Sequence, residues 1–222
     1  MKTIAIIPAY NEEKHIKKVI LNVRKYVDCV LAINDGSKDK TIKEIKKTKC
    51  EFIDFKENKG KGNAMKAGIE YAISNKFDVL VFIDADGQHD ASEIPKLISE
   101  IKKGYDIIIG RRKKRHSSMP LIRRVSNFIA SSLVSLVIRQ DIRDVQSGYR
   151  AISVSKLKGL KFVSQRYDIE AEMLIKLARN KAKIKEVIVK TIYADETSTV
   201  HLIKDTYQFF RMLFKGIKWE YF

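Results

Sequence analysis

Apolar residues recur along this chain in two alternating patterns. Short, nearly unbroken apolar runs stop at polar or turn-forming residues. Longer stretches between them carry apolar residues every three or four positions. The short runs read as buried strands and the longer stretches as amphipathic helices. Strands are predicted at Thr3–Ile7, Asp28–Ile33, Glu51–Phe55, Val79–Ile83 and Asp106–Ile109. Helices are predicted over 12–25, with Ile16, Val19, Ile20 and Val23 on one face, over 40–47, over 64–74, with Met65, Ile69 and Ala72 inward, and over 91–103. Strands alternating with helices imply an α/β fold whose sheet is mainly parallel, with right-handed crossovers.

After Gly110 the rhythm changes. A basic loop, Arg111-Arg112-Lys113-Lys114-Arg115, precedes a helix predicted over Val125–Ile138. A strand bent at Gly148 is expected over Gln146–Ser153, a helix over 168–180, and a strand over Lys183–Tyr193 that buries Ile184, Val187 and Val189. Toward the C-terminus Ile203, Tyr207, Phe210, Phe214 and Ile217 share one helical face, beside a polar stripe of Lys204, Gln208, Arg211, Lys215 and Lys218. Such a basic amphipathic C-terminal helix suits a membrane interface and suits packing on the domain equally well. The expected organisation is one α/β domain over 1–200 and this helix over 201–222.

Composition narrows the partners. The chain has 222 residues, of which 45% are hydrophobic, enough for a full core and against a disordered chain. Its 44 basic and 27 acidic residues give a net charge of +17. That excess calls for anionic partners, whether nucleotide phosphates, anionic lipid or nucleic acid. Cys29 and Cys50 are expected as free thiols in a reducing compartment, with a disulfide between them left open. The N-terminus enters the first strand at once, without the pattern of a secretory leader. The low-charge stretch Val125–Ile138 holds Ser126, Asn127, Ser131, Ser132 and Ser135 and falls short of the roughly twenty apolar residues a membrane span needs. A buried or interfacial helix is expected there. Nucleic-acid binding is disfavoured, because no recognition-helix motif is present and acids at strand ends repel phosphates unless a cation intervenes.

Those acids are the strongest chemical signal. The Val79–Ile83 run ends in Asp84-Ala85-Asp86-Gly87-Gln88. Buried strands of open α/β sheets end in ligand-holding crevices. Two carboxylates two residues apart repel each other, and a divalent cation relieves the conflict. Mg²⁺ sites typically combine one or two carboxylates with substrate phosphates. Gln88 adds a neutral oxygen. Taken alone, Asp-x-Asp is more often an acidic turn before a helix. Three further strand exits change that weighting. Pro8-Ala9-Tyr10-Asn11-Glu12 offers backbone donors, a Tyr10 ring to cover a flat base and a Glu12 carboxylate for ribose hydroxyls. Asp35, in Asn34-Asp35-Gly36-Ser37, can accept from a base edge or ribose. Gly60-Lys61-Gly62 can bring backbone close to a donor, with Lys61 near a phosphate. Each of the three, singly, is more simply a turn.

Together, in this order and spacing with Thr41, they resemble the family-2 glycosyltransferases, which have the GT-A (Rossmann-like) fold. Asp144-Val-Gln-Ser147-Gly148-Tyr149-Arg150, Glu170-Ala-Glu172-Met173 and Tyr193-Ala-Asp195-Glu-Thr-Ser198 resemble the dolichyl- or polyprenyl-phosphate mannose and glucose synthases within that family. Gln165-Arg166-Tyr167 is only superficially similar to a motif of processive synthases, since the spacing differs and the Trp is absent, so processivity is not expected.

The resemblance implies an inverting, Mg²⁺- or Mn²⁺-dependent transfer of mannose, glucose or N-acetylglucosamine from a nucleotide-diphosphate sugar to a polyprenyl phosphate. It implies Asp84, Asp86 and Gln88 as metal ligands. The implied donor-binding residues are Pro8, Ala9, Tyr10, Glu12, Asp35, Gly62, Asp84, Ala85, Asp86 and Gln88. Arg111, Arg124 and Arg150 are the candidates for the acceptor phosphate, because an Arg fork matches phosphate oxygens bidentately. Asp84, Asp86, Arg111 and Arg124 form the expected catalytic set. Lys113, Lys114 and Arg115 are expected as solvated surface, and His89 as a surface histidine at a helix start. An anionic lipid phosphate needs no general base. A hydroxyl acceptor, the alternative, would draw on Asp168, Glu170 or Glu172. The expected setting is the cytoplasmic face of a membrane, with peripheral attachment through the Val125 helix, the C-terminal helix or a membrane partner protein.

Overall fold

β1 (Thr3–Ala9) forms because its apolar residues alternate between two covered faces. Ile4 and Ile6 point to one layer of helices, Ala5 and Ile7 to the other. The same alternation runs through β2 (Cys29–Asp35), β4 (Val79–Phe82) and β5 (Ile107–Arg112). A computed structural model describes residues 1–112, 121–166, 168–190 and 192. Among these, β3 (Glu51–Phe55), β6 (Arg150–Ser153) and β7 (Ile184–Val189) complete a seven-stranded sheet of order β3-β2-β1-β4-β6-β5-β7. All pairings are parallel except those of β6, which runs antiparallel to both β4 and β5.

On one face of the sheet lie α1 (Ile16–Val23), α2 (Thr41–Lys47) and α4 (Ile94–Lys102). α1 buries the expected Ile16, Val19, Ile20 and Val23, and α4 buries Ile94, Leu97, Ile98 and Ile101. On the other face lie α3 (Lys61–Ser74), α5 (Leu121–Ile138) and α6 (Ile169–Arg179). The core is therefore two apolar layers separated by the sheet, as the strand and helix periodicities imply. Among the described residues no helix is long and apolar enough to cross a membrane. Cys29 and Cys50 are free thiols.

Several element boundaries differ from expectation, for local physical reasons. The strand expected over Gln146–Ser153 shrinks to Arg150–Ser153. A backbone and a side-chain bond gather residues 144–149 into a loop: Ser147 N–H donates to Asp144 O (3.2 Å), and Ser147 Oγ donates to Gly110 O (2.7 Å). β5 continues through Arg112, so Arg111 and Arg112 stand on a strand rather than in a loop. α3 begins at Lys61, three residues earlier than expected, directly after Gly60. The 113–120 stretch, Tyr193–Ser198 and the C-terminal helix expected over 201–222 lie outside the described residues.

Candidate functional site

The carboxyl exits of β1, β2 and β4 lie side by side, because these strands pair in register. Side-chain-to-backbone bonds stitch the loops after β1 and β2 together. Asn11 N–H donates to Ser37 Oγ (2.9 Å), Lys38 N–H to Asn11 Oδ1 (2.9 Å), and Glu12 N–H to Thr41 Oγ1 (2.7 Å). Asn11 does not cap α1. It adopts a left-handed backbone (φ 56°) and serves as the knot between the two loops. Pro8 is half-buried and Ala9 buried at the strand end, Tyr10 is 39% exposed beside them, and Glu12 is half-buried.

β4 delivers Asp84 into a charged cluster. Lys61 Nζ lies 2.7 Å from Asp84 Oδ1 and 2.8 Å from Glu170 Oε1, so one ammonium bridges two acids from different elements. His89 Nε2 lies 3.4 Å from Asp84 Oδ2, and its ring packs against Tyr149 with centroids 4.9 Å apart. Burial by itself would raise the Asp84 carboxyl. The Lys61 charge and the His89 bond more than offset it and hold the group well below the usual carboxylate range. Burial opposes the Lys61 charge too, and the two acids override it and push that ammonium upward.

Lys61 and His89 already compensate Asp84. Lys61 opens α3 with its side chain 18% exposed, and His89, with a side chain 5% exposed, is not a surface histidine. Asp86 sits one turn further out, half-buried, with Oδ1 accepting from Gln88 N–H at 2.9 Å. Ala85, between them, is buried. Asp86 and the neighbouring half-buried Gln88 supply hard oxygen donors, the chemistry that Mg²⁺ and Mn²⁺ take together with phosphate oxygens. Among the described residues no three His, Cys, Asp or Glu side chains converge on one metal position.

Glycine explains how close the layers come. A Cβ on Gly148 would stand 2.7 Å from Asp84 Oδ1 and closer still to Oδ2, so only hydrogen lets the Ser147-Gly148-Tyr149 turn seat that carboxylate. A Cβ on Gly62 would stand 2.6 Å from the carbonyl carbon of Gln165, whose oxygen accepts the Gly62 N–H at 2.9 Å. Gly62 therefore admits the protein's own 164–166 segment, which corrects its expected role against the donor.

Two further expectations change on the same grounds. Asp35 is 3% exposed, and its carboxylate accepts from the N–H groups of Lys59 (2.8 Å) and Gly60 (2.9 Å). It holds the turn that launches Lys61 rather than presenting an open acceptor to a base. Arg150 is fully buried, and its guanidinium donates to the carbonyls of Ser147 (2.8 Å), Glu170 (2.6 Å) and Val145. It cannot reach an acceptor phosphate from there and instead ties β6 to α6.

Arg111 is half-buried at the end of β5, while Arg124 lies on α5 with its side chain outside the described residues. Glu170 and Glu172 are not solvated acids at a helix start, being 3% and 0% exposed. Glu172 accepts from Val163 N–H, Ser164 N–H and Lys176. It thereby fixes the segment against which Gly62 packs. Sequence reasoning missed Lys61, His89 and Glu170 as one cluster, because the chain joins them only through the sheet.

The fold is that of the GT-A glycosyltransferases. Glucosyl-3-phosphoglycerate synthase from Mycobacterium tuberculosis, solved with Mn²⁺, UDP and phosphoglyceric acid, superposes with a TM-score of 0.80 over 97% of this chain and 78% of that one, at 20% identity. More narrowly, residues 4–160 match the Glycosyl transferase family 2, and the chain belongs to that family. It is similar to an uncharacterized protein of Methanocaldococcus jannaschii, 40% identical over 87% of this chain and 89% of that protein. It is also similar to the UDP-N-acetylglucosamine–dolichyl-phosphate N-acetylglucosaminyltransferase of Methanococcus voltae, 36% identical over 86% of this chain and 85% of the relative. The chain is thus a glycosyltransferase.

Proposed function

We propose that this glycosyltransferase moves a sugar from a nucleoside diphosphate sugar to a polyprenyl phosphate, with inversion at the anomeric carbon. The observation that carries this reading is the 36% identity, over most of both chains, to a relative named for transfer to dolichyl phosphate. The occupancy of the local acids supports it. Glu172 is sealed by three donors, and Asp168 accepts from Arg166 N–H (3.3 Å) at the start of α6. An anionic phosphate acceptor asks for no general base, so these acids are free for structural work.

In this reading Tyr10 covers the base and Glu12 accepts from the ribose. Asp84, pinned by Lys61 and His89, fixes the floor of the donor site. Asp86 and Gln88 would hold the divalent cation, Mg²⁺ or Mn²⁺, which supplies positive charge against the diphosphate leaving group. Arg111 and Arg124 orient the acceptor phosphate in line behind the sugar. Contact with the cytoplasmic face of a membrane, through α5 or the C-terminal segment, brings the lipid within reach.

One observation favours a hydroxyl acceptor instead. Among the described residues Glu170 Oε2 is buried without a hydrogen-bond partner, and it lies beside the Lys61–Asp84 pair. A single assay separates the two readings. The purified protein is incubated with UDP- and GDP-sugars, Mg²⁺ or Mn²⁺, and a short polyprenyl phosphate. A lipid-extractable, acid-labile sugar phosphate is the expected product. Transfer to hydroxyl acceptors alone would overturn the proposal.

A further inference from the structure

Asp144 takes no part in the donor site, yet it is 4% exposed and engages the whole fork of Arg112. Arg112 Nε donates to Oδ2 at 2.9 Å, Nη2 to Oδ1 at 2.8 Å, and the Arg112 backbone N–H to Oδ2 at 3.2 Å. A bidentate fork fixes the plane and direction of a guanidinium, not only its charge. Behind it, Glu186 of β7 accepts from the N–H groups of Arg143 and Asp144, both at 2.9 Å. Burial raises the Glu186 carboxyl, while these two bonds and, to a lesser extent, the Arg111 charge pull it back. Gly110 is fastened as well. Its N–H donates to Tyr149 O (2.8 Å), and its carbonyl accepts from Ser147 Oγ (2.7 Å).

Gly110 and Arg112, on either side of Arg111 at the end of β5, are therefore each held by a polar contact, just where the chain enters the run Arg111–Arg115. Buried carboxylates are a weak means of stabilising a fold, since well-packed apolar groups often do as well. What they provide that apolar packing does not is a fixed orientation for arginine. We infer that Asp144, backed by Glu186, is a positioning residue that sets the direction of the Arg112 guanidinium, next to Arg111, toward an anionic acceptor group. The acceptor's being a phosphate rests on the proposed function. The brace itself does not.

The test uses the full chain and measures KM for donor and acceptor separately, with whichever acceptor the wild-type protein uses. Asp144→Asn keeps the shape and removes the charge. It is expected to raise acceptor KM roughly tenfold, the scale of one lost charge-assisted bond, while donor KM stays within roughly twofold. Asp144→Glu is expected to recover part of the loss. Glu186→Gln keeps an oxygen for both N–H groups and is expected to shift acceptor KM in the same direction by less. It decides the matter if Asp144→Asn fails to fold. Acceptor and donor KM rising together would overturn the inference, as would a lowered melting temperature with acceptor KM unchanged. Wild-type transfer to a hydroxyl acceptor alone would overturn the lipid-phosphate reading, and the KM ratio would still judge the brace.

Discussion

At the scale of single residues, the site depends on close approach and on charge compensation. Gly148 lies against the Asp84 carboxylate with no space for a Cβ. Gly148→Ala is expected to displace that carboxylate and lower transfer about 100-fold, because misplacement by an ångström has effects of that size. The measurement is turnover at saturating donor, beside a urea unfolding curve to show that the fold persists. Lys61 is the second lever, since it bridges Asp84 and Glu170. Lys61→Met leaves buried acid charge uncompensated and is expected to cost about 3 kcal/mol at pH 7. The pH dependence carries a sign. In the wild type the Asp84 carboxyl is depressed, so its contribution is present above the ordinary carboxylate value and is lost as pH falls below it. In Lys61→Met, burial dominates and the Asp84 carboxyl is raised. That variant should gain stability between pH 7 and pH 5, where the wild type does not. Urea midpoints at the two pH values check this.

At the scale of elements, most strands and helices were legible because each buries a periodic apolar set. β3 runs over Glu51–Phe55 as expected, and α1 buries the four expected residues. The antiparallel insertion of β6 between β4 and β5 was not legible, because strand direction within a sheet leaves no mark in a four-residue apolar run. The same limit applies to the site. The motif residues at the exits of β1, β2 and β4 could be marked along the chain, but not which of them face inward. Asp35, Gly62 and Arg150 read as ligand contacts and turned out to hold backbone. His89 read as a surface group and Lys61 as a neighbour of a phosphate, and both compensate Asp84. An isolated motif gives no information about the partner that arrives from another element, and α6 supplied that partner in Glu170. Arg150 allows this distinction to be measured. Burial pushes its guanidinium down to about 10, and three carbonyls hold it. Arg150→Lys is expected to lose about 3 kcal/mol of stability, from charged hydrogen bonds it cannot replace. Acceptor KM of the surviving enzyme should be unchanged. A raised acceptor KM at normal stability would return Arg150 to the acceptor site.

At the scale of the whole molecule, the net charge of +17 and the acids at the strand exits belong to one account. The chain carries an excess of positive charge, and at the strand exits Lys61 balances Asp84 while backbone N–H groups of Lys59 and Gly60 balance Asp35. In the proposed function Asp86, whose Oδ1 accepts from Gln88 N–H at 2.9 Å, is the carboxylate that would take the cation with the diphosphate. The most direct test is sugar transfer by Asp86→Ala, assayed with Mg²⁺ or Mn²⁺ at saturating nucleoside diphosphate sugar and alongside the chelator-treated wild type. The account predicts that the variant and the chelated enzyme both fall by about 100-fold or more, the scale of a lost transition-state charge contact, with the variant still folded. Wild-type turnover from folded Asp86→Ala would contradict it.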